Sequence, residues 1–263
     1  MFRCGFPSFS FRRFLLCLVP VLFSLLLLVC GAIASLFCPG TVSTTVAANL
    51  AFSLFGLLFY VSRISQSMKR GNVPPVPLFG AIVYLPVMWM ATQILASRLS
   101  VFDPVGMQTT NDAVLAETDW YILLTMVVAP LCEELLFRGI WFGWLKKQAG
   151  RLPAYLCSMV FFALMHATLP QKFLALFCGF LFAYVFDVSG KLWLSVVFHM
   201  IYNTISLLGS GMMQMPVWSM DVTAVVLAVL LCIGVPILLL LQRRAEQKKG
   251  GMAHAVSNGS EHS

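Results

Sequence analysis

Three short runs in this chain space acid, base and amide side chains four residues apart. The run LCEELLFRG carries Glu133, Glu134 and Arg138. FFALMH carries Phe162 and His166, and FHMIYN carries His199 and Asn203. Side chains four apart share one face of a helix. Glu134 and Arg138 have that spacing, which predicts an ion pair that holds their helix in place. Glu133 is five from Arg138, a poorer spacing, and points elsewhere without a cation on its own helix. Such a carboxylate suits a general base working on water. His166 could share that water, and His199 with Asn203 could donate to a developing oxyanion. A glutamate base, a histidine and a donor pair together fit hydrolysis of a peptide bond. No serine or cysteine has comparable support, so water is the expected nucleophile. Taken singly, each run has a plainer reading as an intramembrane ion pair or as polar glue between helices.

The elements that must position these groups lie in a bilayer. Of 263 residues, 60% are hydrophobic and 10% charged, with mean hydropathy +0.89. Soluble domains carry about 25% charged residues, so the composition indicates an integral membrane protein with an all-α, polytopic helical bundle. Eight apolar spans are expected at roughly 14–37, 44–62, 76–97, 119–144, 153–169, 172–188, 191–209 and 220–241, each near the about 20 residues a bilayer needs. The first follows Arg12 and Arg13 and reads as a retained signal anchor. The eight cysteines are scattered without a CxxC pair, which reads as packing between helices.

The net charge of +7 matters through its placement. With eight alternating spans, fourteen of the basic residues fall on one side. Arg98 and Lys172 fall on the other, beside an acidic loop with Asp103, Asp112, Glu117 and Asp119, and Arg138 stays inside the membrane. That asymmetry places both termini in the cytoplasm and makes nucleic acid an unneeded partner. Counted from the cytoplasmic ends, Glu133 lies roughly 17 Å deep, His166 roughly 20 Å and His199 roughly 12 Å. Three helices can therefore present the groups at one level. Asn49 and Gln93 are isolated amides and read as structural.

The three runs, in this order, resemble the signatures EExxxR, FxxxH and HxxxN of the CPBP family (CAAX protease and bacteriocin-processing, also called Abi). The resemblance covers residues 119–209. It implies an intramembrane endopeptidase acting on a peptide or protein tail at the membrane. Glu133 and His166 would activate the water, and His199 and Asn203 would stabilise the oxyanion. Glu134 and Arg138 would support the site, and Phe162 would line or shape the cavity. No cofactor is expected. Glu133 and both histidines could bind zinc, but the base and an oxyanion donor would then be lost. The implied organisation is three N-terminal spans and an external loop over 1–118, a catalytic core over 119–209, a last span over 210–241 and a disordered cytoplasmic tail over 242–263. Short loops and a compact chain point to a prokaryotic inner or plasma membrane. The competing reading is a non-proteolytic membrane scaffold or bacteriocin-immunity protein. A proton-relay transporter is a weaker alternative, because no repeated halves are evident.

Overall fold

The arrangement of the helices comes from a computed structural model, which describes residues 15–16, 18–65, 74–209, 226, 229–230 and 233–247. Helix α1 is Val19–Ala34, and α2 is Thr41–Phe59, prolonged by a π-helical turn over Tyr60–Ile64. Helix α3 is Pro75–Leu99 and α4 is Pro104–Ala116. Helix α5 runs over Thr118–Gln148. Then follow α6, Arg151–Leu164; α7, Leu169–Ser189; and α8, Leu192–Gly209. A last helix, α9, covers 233–247. No strand occurs among the described residues, so the chain is an all-α membrane bundle.

Helix α7 is its core. Every side chain from Cys178 to Asp187 is buried, with α3, α6 and α8 packed around it. The sequence marks both of its ends. Pro170 sits at the first turn, and Thr168 and Gln171 form a reciprocal capping box, satisfying backbone donors that a helix start leaves open. Gly190 ends it in the left-handed region at φ 67°, where a glycine carries no side-chain penalty. Helix α1 lies against α5, tied by Trp141 Nε1 donating to Ser24 Oγ at 3.1 Å.

Among the described residues, four helices are long and apolar enough to cross a membrane: Thr41–Ile64, Pro75–Phe102, Thr118–Gln148 and Leu169–Ser189. The spans expected at 14–37, 153–169 and 191–209 are shorter apolar helices. The eighth, at 220–241, lies partly outside the described residues. Helix α6 stops at Leu164, so at 1.5 Å per residue it reaches only about 21 Å. His166 stands beyond its end rather than within it. The expected external loop before the core contains α4, thirteen residues long and without a buried side chain. Its signal was Asp103-Pro104, an N-cap acid followed by a first-turn proline. The expected disordered tail from 242 instead begins as helix, since α9 continues to 247; residues 248–263 lie outside the described residues.

Acidic side chains fasten helix ends on the side opposite the basic loops. Asp103 Oδ1 accepts from Gly106 N at 3.1 Å, capping α4, and Oδ2 accepts from Leu169 N at 2.8 Å, at the start of α7. Glu117 accepts from Val42 N and Ser43 N, at 2.9 and 3.0 Å, and so caps α2. Those backbone donors hold the Glu117 carboxyl below its ordinary range. A depressed carboxyl contributes stability above its unfolded pKa and loses it as pH falls through the folded one. Glu117→Gln is therefore expected to lower Tm at pH 7, and the gap from wild type should close as the pH drops below about 4. Thermal unfolding in detergent across that range checks it; a gap constant with pH would contradict the cap.

Candidate active site

Helix α5 carries the first motif and is not a regular α-helix. It has π-helical stretches over Leu124–Val128 and Leu135–Phe142, on either side of Ala129–Glu134. Such insertions are frequent at functional sites. The first has a readable cause and consequence. Ala129 N–H donates to the Leu124 carbonyl, five residues back, and residue 130 is a proline without an N–H. The Thr125 carbonyl is left for a side chain, and Asn203 Nδ2 donates to it at 2.9 Å. One amide proton of Asn203 thus braces α8 against α5. The other remains for a ligand.

Glu134 and Arg138 are both fully buried, with Arg138 Nη1 2.9 Å from Glu134 Oε1. The approach brings the charges together without a straight hydrogen bond. Arg138 Nη2 donates to the Gly179 carbonyl at 3.3 Å. The guanidinium carbon also lies 4.3 Å from the Phe162 ring centre and 5.2 Å from that of Phe182, at cation–π distance. A Cβ on residue 179 would come within 3.1 Å of the Met159 backbone, so glycine allows α6 and α7 to close around this pair.

Glu134 has two further partners. His199 Nδ1 is 2.9 Å from Oε1, and the Ser195 hydroxyl donates to Oε2. Ser195 is buried, as is His199. A carboxylate on one imidazole nitrogen fixes which nitrogen faces outward. With Nδ1–H donated to Glu134, His199 turns Nε2 towards Glu133, whose Oε2 is 3.8 Å away. The spacing argument found the Glu134–Arg138 couple and missed both of these contacts. Ser195 stands four residues before His199 on α8, and that shared face was the available signal.

Glu133 is partly exposed, with 28% of its side chain accessible. It lines two cavities of about 280 and 310 Å³. The first lies against α1 and α2, with Leu27, Thr45 and Asn49 in its wall. The second lies towards α3, α7 and α8, and includes His199 and Asn203. His166 lines both. Its position past the end of α6 sets its orientation. The His166 backbone N–H turns back to the Ala163 carbonyl, and the ring Nδ1–H donates to the Phe162 carbonyl at 2.8 Å. The neutral ring then keeps its free lone pair on Nε2.

Phe162 packs between these groups, fully buried, edge-on to His166 at 4.9 Å and to His199 at 5.9 Å. It holds the guanidinium and the two imidazoles apart and also lines the second cavity. All seven motif residues are therefore close together. Gln93 and Tyr202 complete a polar wall through Ser206 and Thr92, at 3.2 and 2.7 Å. Among the described residues, no three His, Cys, Asp or Glu side chains converge with metal-ligand geometry. The donors as arranged do not fit a closed metal site.

Residues 116–205 match the family model described as Type II CAAX prenyl endopeptidase Rce1-like. The likeness covers about a third of the chain. The matched segment spans α5 to α8 and contains all seven motif residues. The protein named "Putative membrane peptidase YdiL", from Bacillus subtilis (strain 168), is 34% identical over 83 residues, which are 32% of this chain and 34% of that protein. The matched stretch thus spans about a third of that relative's length. No solved structure matches the chain.

A fully buried ion that loses its partner is costly. Arg138→Leu is expected to destabilise the protein by about 3–5 kcal/mol. The double variant Glu134→Leu/Arg138→Leu should be more stable than Arg138→Leu alone. Unfolding in detergent measures both, and a double variant that is the less stable would contradict the pairing. Ser195→Ala removes one donor from the same carboxylate and should cost about 1–3 kcal/mol, read from the same transition.

Proposed function

We propose that this protein is an intramembrane endopeptidase that hydrolyses a peptide bond in a membrane-associated peptide or protein tail, using water activated by glutamate. The observation that carries the reading is that Glu133 and His166 both face the same pair of cavities. The adjacent Glu134 is buried and fully engaged with Arg138, Ser195 and His199. The Rce1-like match and the name of the Bacillus relative support the same class.

In this mechanism Glu133 and His166 Nε2 orient a water between them. Glu133 takes its proton as the oxygen bonds to the scissile carbonyl carbon. The negative charge that develops on the carbonyl oxygen is met by the free amide proton of Asn203 and by His199. When protonated, His199 Nε2–H donates to that oxygen, with Glu134 holding the other ring nitrogen. As the C–N bond breaks, the leaving nitrogen takes a proton from Glu133 or His199. Every step uses side chains of this chain and one water. The basic ends of α5, α6 and α9 face the cytoplasm in this reading, which the charge asymmetry supports, and the bilayer is that of a prokaryotic cell.

The test is cleavage of peptides anchored in micelles by an alkyl or prenyl tail. A single turnover in ¹⁸O-labelled water should place the label in the new product carboxyl and none in the enzyme. His166→Ala should slow cleavage by about 10²- to 10⁴-fold without lowering Tm by more than a few degrees. Label recovered in the Glu133 side chain would mean a covalent acyl intermediate. Stoichiometric zinc that is lost in His166→Ala would overturn the metal-free mechanism.

A further inference from the structure

A second cavity system lies at the opposite, basic end of the bundle, away from Glu133. It is a groove of about 430 Å³ between α6, α7 and α9. Its length is apolar, walled by Leu152, Leu156, Met159, Val235 and Leu239. Its mouth is polar, formed by Arg151, Gln242 and Arg243. The charges there are already partly arranged. Asp187, at the end of α7, is buried and receives Lys146 Nζ from α5, Arg151 Nε at 2.9 Å from α6, Tyr155 Oη at 3.2 Å and Gln242 Nε2 at 2.9 Å from α9. Arg151 also pairs with Glu246 at 2.8 Å.

Arg243 differs from these. It is exposed at the mouth of the groove and pairs with no acid among the described residues. Counting Lys146, Arg151 and Arg243 against Asp187 and Glu246 leaves the mouth positive. Helix α6 also starts there without a side-chain cap, so the N–H groups of its first turn favour an anion. One long apolar channel under one unpaired cation, at the end that the charge asymmetry assigns to the cytoplasmic leaflet, has the layout of an anionic lipid.

We propose that this groove binds one anionic phospholipid, with an acyl chain along Leu152, Leu156 and Leu239 and its phosphate at Arg243. The site stands apart from the peptidase reading and its test needs no activity. The C-terminal helix is then held by both the Asp187 network and the lipid. Filling the groove stiffens the attachment of α9 to α6.

The experiment uses the full chain in mild detergent, with native mass spectrometry and thermal unfolding read in parallel. Added phosphatidylglycerol is expected to be retained as a one-to-one adduct and to raise Tm, while phosphatidylcholine does so about fivefold less effectively. Arg243→Gln, which leaves the Asp187 network intact, should keep the lipid-free Tm and lose that preference. Glycerol phosphate, the headgroup without tails, should have no effect. Equal retention of both lipids, or full preference kept by Arg243→Gln, would overturn the site. So would stabilisation by glycerol phosphate alone. Retention of neither lipid would overturn it as well.

Discussion

The structure depends on one ion held without water. Glu134 has no exposed surface, and a carboxylate in that position is tolerated only when its oxygens are engaged. Arg138 and His199 take Oε1 and Ser195 takes Oε2. Arg138 in turn reaches the Gly179 carbonyl and lies between Phe162 and Phe182. One carboxylate therefore fixes α5, α6, α7 and α8 relative to one another. Lipid tails supply no hydrophobic drive between helices, so a polar anchor of this kind gives the bundle its register.

The same anchor gives two neighbouring glutamates different environments. Successive helical residues point about 100° apart, so burying Glu134 turns Glu133 to the cavities. The proposed base is then a carboxylate on a helix beside a histidine on a turn. Glu134 also holds His199 by one nitrogen, in the manner of a carboxylate that orients a catalytic imidazole. The acids at the far ends serve different ends. Asp103 and Glu117 cap helices on one side, and Asp187 gathers basic and neutral donors on the other.

Much of this was legible from spacing. The four-residue interval of Glu134 and Arg138 gave their pair, and three polar runs in an apolar chain gave the residues that the fold brings together. Other parts were not. His166 was read as helical because the apolar run continues to Leu169, yet α6 ends at Leu164 and the ring itself closes on the Phe162 carbonyl. Composition does not distinguish a helix from its last turn. The π-helical stretches of α5 depend on where carbonyls find partners, and only Pro130 hinted at that. Ser195 and Asp187 looked like ordinary helix residues because their partners lie on other helices. Helix α4 was taken for loop because its middle, 108–112, is a polar run, and the structure leaves none of its side chains buried.

The central claim is that the two adjacent glutamates do different work. It is tested most directly by measuring Tm and single-turnover cleavage of one anchored peptide for Glu133→Gln and Glu134→Gln side by side. The account predicts that Glu133→Gln keeps the wild-type Tm and loses cleavage. It predicts that Glu134→Gln unfolds at a clearly lower temperature. A Glu133→Gln protein that still cleaves at the wild-type rate, or a Glu134→Gln protein as stable as wild type, would contradict it.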